Sequence, residues 1–459
     1  MLKKTVQFLR APRLTITLLL LGIFLVFAGT LAQARQGIWQ VLDQYFHCFI
    51  AQINLAIFFP HAWKIPELHL PFPGGFLIGT LLLANLIAVQ LSRFKITAQG
   101  TRRRWGFIIL TVGIFFTGIT IFAGDQGVSS TPQDAFWRVL FRLGRGGGAS
   151  LLLLLAANLL CKKKAGLALA HAGLILLIIG GFATAFFAQE GTMTLLQGKP
   201  TNFSNNAHRF ELAITERIDP QTERTTTIPL SFLKNGARLH PTPLPFEISI
   251  QHYFPHTAPP EITSKKQPYD GPSAFLQLHE KSAQSAQRLA PSVEFQLIAP
   301  ASQKILGHYL LSAWYDPNFS NRVLDRPAHV QVQQKNYTLY LRPRRDYLTE
   351  KNGRPFSITL LKFIHKNYEG TTIPKEFTSH IRLQSPSIGT DRQLRIWMNN
   401  PLRYARYTFY QAGYLPDDQG SILQVVQNRG WMIPYMACMM ILVGLTAHFI
   451  HQLIRARKE

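Results

Sequence analysis

The sequence predicts a membrane protein of about six transmembrane α-helices carrying one large extracytoplasmic all-β domain, sandwich or barrel-like. Three observations predict it. Apolar runs near 20 residues long, enough to cross a bilayer at about 1.5 Å rise per residue, occur at both ends of the chain. Between residues 189 and 430 those runs give way to short alternating segments separated by Pro, Gly and Asn, the pattern of antiparallel strands. Third, the basic residues cluster beside the apolar runs. With 459 residues and a mean hydropathy of +0.06, the chain is too long for one ordinary domain and too polar to be membrane throughout.

The net charge of +24 invites a nucleic-acid reading, so its location matters more than its size. Lys3, Lys4, Arg10, Arg13, Arg93, Lys95, Arg102, Arg103, Arg104, Lys162, Lys163, Lys164, Arg455, Arg457 and Lys458 all flank apolar spans, against one acid, Glu459. Fifteen cations and one anion place 14 of the net +24 at membrane boundaries. The excess is a topology signal, and no nucleic-acid partner is needed to explain it.

In chain order, residues 1–188 form a membrane domain with five candidate spans, at 14–33, 75–93, 105–124, 146–161 and 165–187. A signal peptide has the same basic start, and Ala32-Gln33-Ala34 mimics a cleavage site, but the first apolar run is too long for a signal core and reads as an uncleaved span. Large apolar residues recur at helical spacing over 36–59, which predicts an amphipathic helix lying in the interface; His47 and Cys48 within it read as structural. Residues 124–148 read as a polar loop with an interfacial turn at 136–143. The fourth span is short, and parity supports it: without that crossing, Lys162–Lys164 would face away from the other basic clusters. Spans two and three share a layout with four and five (GGFLIGTLLLANL against GGGASLLLLLAANLL), which reads either as a weak internal repeat or as chance likeness of Leu-rich helices.

Within the β domain, strands are expected at 210–214, 246–250, 274–278, 293–297, 330–332, 337–341, 358–363, 394–398 and 407–410. Residues 431–459 supply a last span and a basic tail. Six crossings put both termini and the basic clusters in the cytoplasm, in an inner (cytoplasmic) membrane, with the β domain in the periplasm.

The stretch around which the chain is organised is 162–193, where a span follows three lysines and contains a histidine. A polar ring is costly in hydrocarbon, so His171 must face protein, water or a ligand. Gly166, Ala170, Gly173 and Gly180 stack at helical spacing, a strip of minimal bulk where another helix or a flat cofactor can approach. Two readings of His171 stand: a hydrogen-bonded interhelical histidine, or an axial ligand of haem iron. His448 lies seven residues before Arg455, as His171 lies seven after Lys164, so both sit roughly 10 Å from the cytoplasmic boundary. That shared depth makes His448 a second, weaker ligand candidate, against an interfacial reading among lipid headgroups.

Cys48, Cys161 and Cys438 lie far apart with no CxxC or CxxCH, so neither a dithiol redox site nor covalent haem attachment is expected. No nucleophile elbow, HExxH, phosphate loop or paired carboxylates stand out, and no catalytic residue is assigned.

Four stretches carry a family resemblance: GTLAQARQGIWQVLDQYF after the first span, HAGLILLIIGG leading into EGTMTLLQG, PFSITLLKFIHKNYEGTTIPKEF at 355–377, and NNPLRYARYTFYQAGY at 399–414. In this order they resemble the ResB-like cytochrome c biogenesis proteins, in particular the larger forms with extra spans. The resemblance implies an accessory subunit of a cytochrome c haem-attachment complex, one that brings haem b across the membrane and presents it to apocytochrome c. It implies a ResC/CcsA-type membrane partner, a separate thioredoxin-like thiol reductant, and correspondence of the family's membrane histidine to His171. This chain lacks the partner's Trp-rich motif, so it corresponds to the ResB half alone. A b-type haem electron carrier using His171 and His448, and a cofactor-free scaffold, are the readings from other classes.

Overall fold

The computed structural model describes the chain except residues 1, 61, 62, 64, 65, 67, 123–131, 220, 221, 264, 282–288, 316–326, 371–373, 416–419, 458 and 459. The helices are α1 (Leu2–Leu9), α2 (Pro12–Gln36), α3 (Ile38–Val41), α4 (Gly75–Arg93), α5 (Gly100–Phe122), α6 (Pro132–Cys161), α7 (Ala165–Phe187) and α8 (Ile433–Ala456). Six of them, α2 and α4 to α8, contain windows long and apolar enough to cross a membrane. Their outward faces carry Ile23, Phe115, Leu151 and Leu453 exposed, as helices do when their solvent is hydrocarbon.

Two parts of the membrane domain differ from the sequence expectation. Residues 36–59 are not one amphipathic helix. Gly37 adopts φ +84° and ends α2; α3 and a π-helical turn (Leu42–Phe46) follow, then strand β1 (Ile50–Asn54), which pairs with β2 (His69–Pro73). Large residues spaced for a helix instead turn back on the helix tips: Tyr45 is fully buried, and Phe46 lies where a Cβ on Gly29 would stand. Nor are residues 132–148 loop and interfacial turn, for α6 starts at Pro132 and runs unbroken through Gly146, Gly147 and Gly148. Packing outweighs poor helix propensity there, because Met439 of α8 sits against Gly146 and Gly147. The rest of the expected loop, residues 124–131, lies outside the described residues.

α7 and α8 form the tightest pair. A Cβ on Gly166 would stand 2.5 Å from Gly444 O, one on Gly444 2.6 Å from Gly166 O, and one on Gly173 2.9 Å from Ala437 O. The small-residue strip therefore faces a helix. At the basic end, Arg102 donates from Nε to Leu159 O (2.9 Å) and from Nη2 to Asn158 O (2.8 Å), while Thr97 N donates to Leu160 O. A cation and donors thus meet the otherwise unpaired carbonyls at the C-terminus of α6.

The β domain contains strands β3 (Gln189–Leu196), β4 (Pro200–Thr201), β5 (Phe203–Arg217), β6 (Glu223–Pro229), β7 (Arg238–Leu239), β8 (Glu247–Thr257), β9 (Glu261–Ile262), β10 (Leu276–Gln277) and β11 (Ala290–Ile298). It continues through β12 (Ile305–Ser312), β13 (Ala328–Val332), β14 (Lys335–Tyr347), β15 (Ser357–Asn367), β16 (Pro374–Ser385), β17 (Thr390–Trp397), β18 (Leu402–Tyr404), β19 (Tyr407–Tyr414) and β20 (Gly420–Gln427). They build an open eight-stranded sheet, ordered β13-β14-β5-β3-β20-β19-β18 with β6 also on β5, and two four-stranded sheets, β12-β11-β8-β7 and β17-β16-β15-β4. No barrel closes among the described strands.

Two cores divide this domain. One buries Leu212, Phe246, Phe295 and Leu339 between the β8/β11 sheet and one half of the long sheet; the other buries Leu195, Leu360, Ile381 and Phe409 between the β15/β16 sheet and the other half. Alternate residues point inward along β20, while β5 and β11 carry longer buried runs, and the domain is two sandwich lobes sharing one sheet. The β3–β20 register, with Gln189 opposite Gln427, lies directly above the paired α7 and α8. Asn428 donates to Thr184 Oγ1 at 3.1 Å across this junction.

Candidate functional site

His171 lies on α7, roughly 140° around the helix from the Gly166–Ala170–Gly173 strip, counting 100° per residue. Because the strip faces α8, His171 faces elsewhere. Its ring packs against Phe94 at the end of α4, with ring centroids 5.6 Å apart and planes at 60°. His171 Nδ1 is buried and has no hydrogen-bond partner. An imidazole nitrogen left so in an apolar span costs free energy, and ligation or a partner's donor would remove that cost.

His448 lies on the α7-facing side of α8, its backbone N 2.8 Å from where a Cβ on Gly166 would stand. Its Nε2 is 3.0 Å from Gln452 Nε2, and its Nδ1 is also buried without a partner. The structure thus keeps the two histidines at one end of the helix pair but does not bring their rings onto facing surfaces.

A groove of about 520 Å³ runs between α4, α5, α6 and α7; His171 does not line it, and Phe94 is the residue the two share. Leu91, Leu110, Leu160, Ala168 and Ala172 make it apolar, Gln90 donates to Ala168 O at 3.3 Å, and Phe94 forms both its wall and the cover of His171. Its volume falls within the usual range for cofactor-sized ligands. A groove assembled from four helices has no local signature, although the small Ala157, Ala168 and Ala172 mark where the backbones leave room.

A second cavity, about 680 Å³, opens between the segment after α2 and strands β5 and β8. Here Asp43 is shared by two imidazoles, Oδ1 at 3.3 Å from His47 Nδ1 and Oδ2 at 3.5 Å from His208 Nδ1, and Trp39 meets His208 edge-on with centroids 5.0 Å apart. Burial raises the Asp43 carboxyl, but His208 and then His47 outweigh it and hold the group below its ordinary value. Burial lowers His256 at the same cavity, against the nearby Glu280 carboxylate, which raises it. Sequence reasoning missed His208, since only the return of 37–47 onto β5 brings it to Asp43. The cysteines are unpaired, with Cys48 donating from Sγ to Gln44 O at 3.0 Å.

Arg403 and the aromatic strand after it stand where the β domain meets the helices. The Arg403 guanidinium lies 3.7 Å from the centre of the Trp431 ring, and Arg142 of α6 lies 5.1 Å from the same ring.

Comparison with known proteins addresses the β domain. Residues 310–422, from the end of β12 into β20, match the ResB-like family. Protein NrfI of Wolinella succinogenes is 36% identical over 103 residues, which is 22% of this chain and 11% of NrfI. The chain thus spans a small part of that relative's length, and the matched family segment contains neither His171 nor His448. The likeness of this membrane protein to the ResB-like family thus rests on residues 310–422 of its β domain.

Proposed function

We propose that this chain is the ResB-type subunit of a cytochrome c biogenesis complex, carrying haem b from the cytoplasmic side of the inner membrane and presenting it for attachment to apocytochrome c. The observation that carries the site assignment is the buried, unpartnered nitrogen of His171, whose ring packs against Phe94 at the wall of an apolar groove. Haem is the cargo, flat and apolar with an iron open to axial ligation. His171 would supply a neutral imidazole, Phe94 packs against that ring, and the apolar groove that Phe94 also lines would exclude water.

In this reading a ResC/CcsA-type partner supplies the second axial ligand, because His448, the other candidate ligand, lies on the side of α8 that faces α7. The orientation follows the basic clusters, with both termini cytoplasmic and the β domain periplasmic. Open strand edges of that domain suit an extended apocytochrome segment by strand addition. Thiol reduction falls to a separate thioredoxin-like protein. The rival b-type electron carrier, with His171 and His448 as an intrachain pair, has less support, since their rings are on non-facing sides.

Purification of the full chain with and without its membrane partner, followed by an absorption spectrum, tests the reading. A haem spectrum in the complex is expected. A colourless complex that still matures cytochrome c would leave a scaffold role and remove the carrier.

A further inference from the structure

A cavity of about 320 Å³ lies at the junction of the β domain and the helix ends, independent of the haem reading. One wall is apolar, made of Phe122 at the end of α5 and Trp431 just before α8; the other is cationic, made of Lys351, Arg403, Arg406 and Arg429. No Asp or Glu lines it among the described residues. Arg403 is fixed over the Trp431 ring, with Arg142 of α6 beside it, so cationic charge is held at the polar edge of the spans. Like charges gathered around one concavity favour an anion.

The position identifies the anion. Phe122 is 71% exposed and Phe115, seven residues earlier on the same face of α5, is 69% exposed, so an apolar track leads from the cavity down the helix surface. Trp431 and Tyr435 pack edge to face at the start of α8, as aromatic residues do at headgroup depth. A free phosphate would use the cations and leave the track without purpose. A phospholipid uses both.

We propose that this cavity binds the phosphate of an anionic phospholipid in the leaflet adjoining the β domain, with the acyl chains lying along Phe122 and Phe115. The lipid would connect the rim of the second sandwich lobe to α5 and α8.

Native mass spectrometry of the full chain, titrated in mild detergent with phosphatidylglycerol or phosphatidylcholine, tests this. One phosphatidylglycerol should be retained in preference to phosphatidylcholine. The triple variant Lys351→Gln/Arg406→Gln/Arg429→Gln should bind it on the order of 100-fold more weakly, at roughly fivefold per basic residue near an anionic surface. All three side chains are exposed, so the fold should persist, and Lys351→Arg/Arg406→Lys/Arg429→Lys should keep the binding. Wild-type retention by the neutralised variant, or equal retention of the two lipids, overturns the proposal. Displacement by equimolar inorganic phosphate also overturns it, by assigning the cavity to a free anion.

Discussion

At the scale of single residues, His171 and Asp43 illustrate opposite treatments of a polar group near a membrane. His171 keeps one nitrogen buried and unpartnered, whereas Asp43, more than half exposed, is placed between two imidazoles. His171→Ala should insert and fold but lose haem from the purified complex, and added imidazole should restore part of the spectrum by filling the vacated position. His448→Ala should have the weaker effect; equal losses would instead point to an intrachain pair. Unchanged haem in His171→Ala would make the residue a packing histidine. Asp43→Asn addresses the face toward the β domain. Because the folded carboxyl titrates below its ordinary value of 3.8, its contribution is complete above that pH and is lost as pH falls through the lower folded value. Asp43→Asn should therefore destabilise the fold slightly at pH 7, by no more than about 1 kcal/mol for so exposed a pair, read as a lower melting temperature, and the difference from wild type should vanish in strong acid. A difference that persists there would assign the effect to something other than the charge.

At the scale of elements, the α7–α8 contact is the firmest in the membrane domain, because glycine lets the two backbones approach directly. Gly166→Ala would place a Cβ 2.5 Å from a carbonyl oxygen that cannot move without its helix, so a loss of about 1–3 kcal/mol is expected, read as a lower melting temperature in detergent. Gly181→Ala on the same helix meets nothing within 4 Å and should be neutral or slightly stabilising. Equal effects at the two sites would mean that helix propensity, not interhelical approach, governs this strip. α6 makes the converse point, for its three consecutive glycines stay helical where Met439 fills the space beside the first two.

At the scale of the molecule, the β domain is rooted twice on one helix pair: α7 leads into β3, β20 leads back toward α8, and β3 and β20 are neighbours in the sheet. Movement of α7 against α8 is thereby tied to the base of the sheet shared by both lobes. The proposed orientation can be checked by reporter fusions at Lys163 and at Ser357, which should report opposite sides of the membrane. The same side for both would remove the six-span topology and the site depths built on it.

What the sequence by itself determined is whatever solvent dictates locally. Runs of apolar residues with basic flanks specify spans because hydrocarbon tolerates no unpaired backbone, and alternation such as Val293–Phe295–Leu297 specifies a strand with one buried face. His171 was legible for the same reason, as a polar ring in an apolar run. Tertiary structure decided what depends on distant partners. The 36–59 segment has helical spacing, yet Gly37 and the pairing of β1 with β2 turn it into a cap on the helix tips. Gly146, Gly147 and Gly148 have loop composition, yet they stay helical where Met439 of α8 packs against the first two. The pairing of His208 with Asp43, the groove beside Phe94 and the gathering of Lys351, Arg406 and Arg429 with Trp431 at one cavity all join residues far apart in the chain. Periodicity says which side of an element avoids water, but the partner that side meets is chosen only when the whole chain packs.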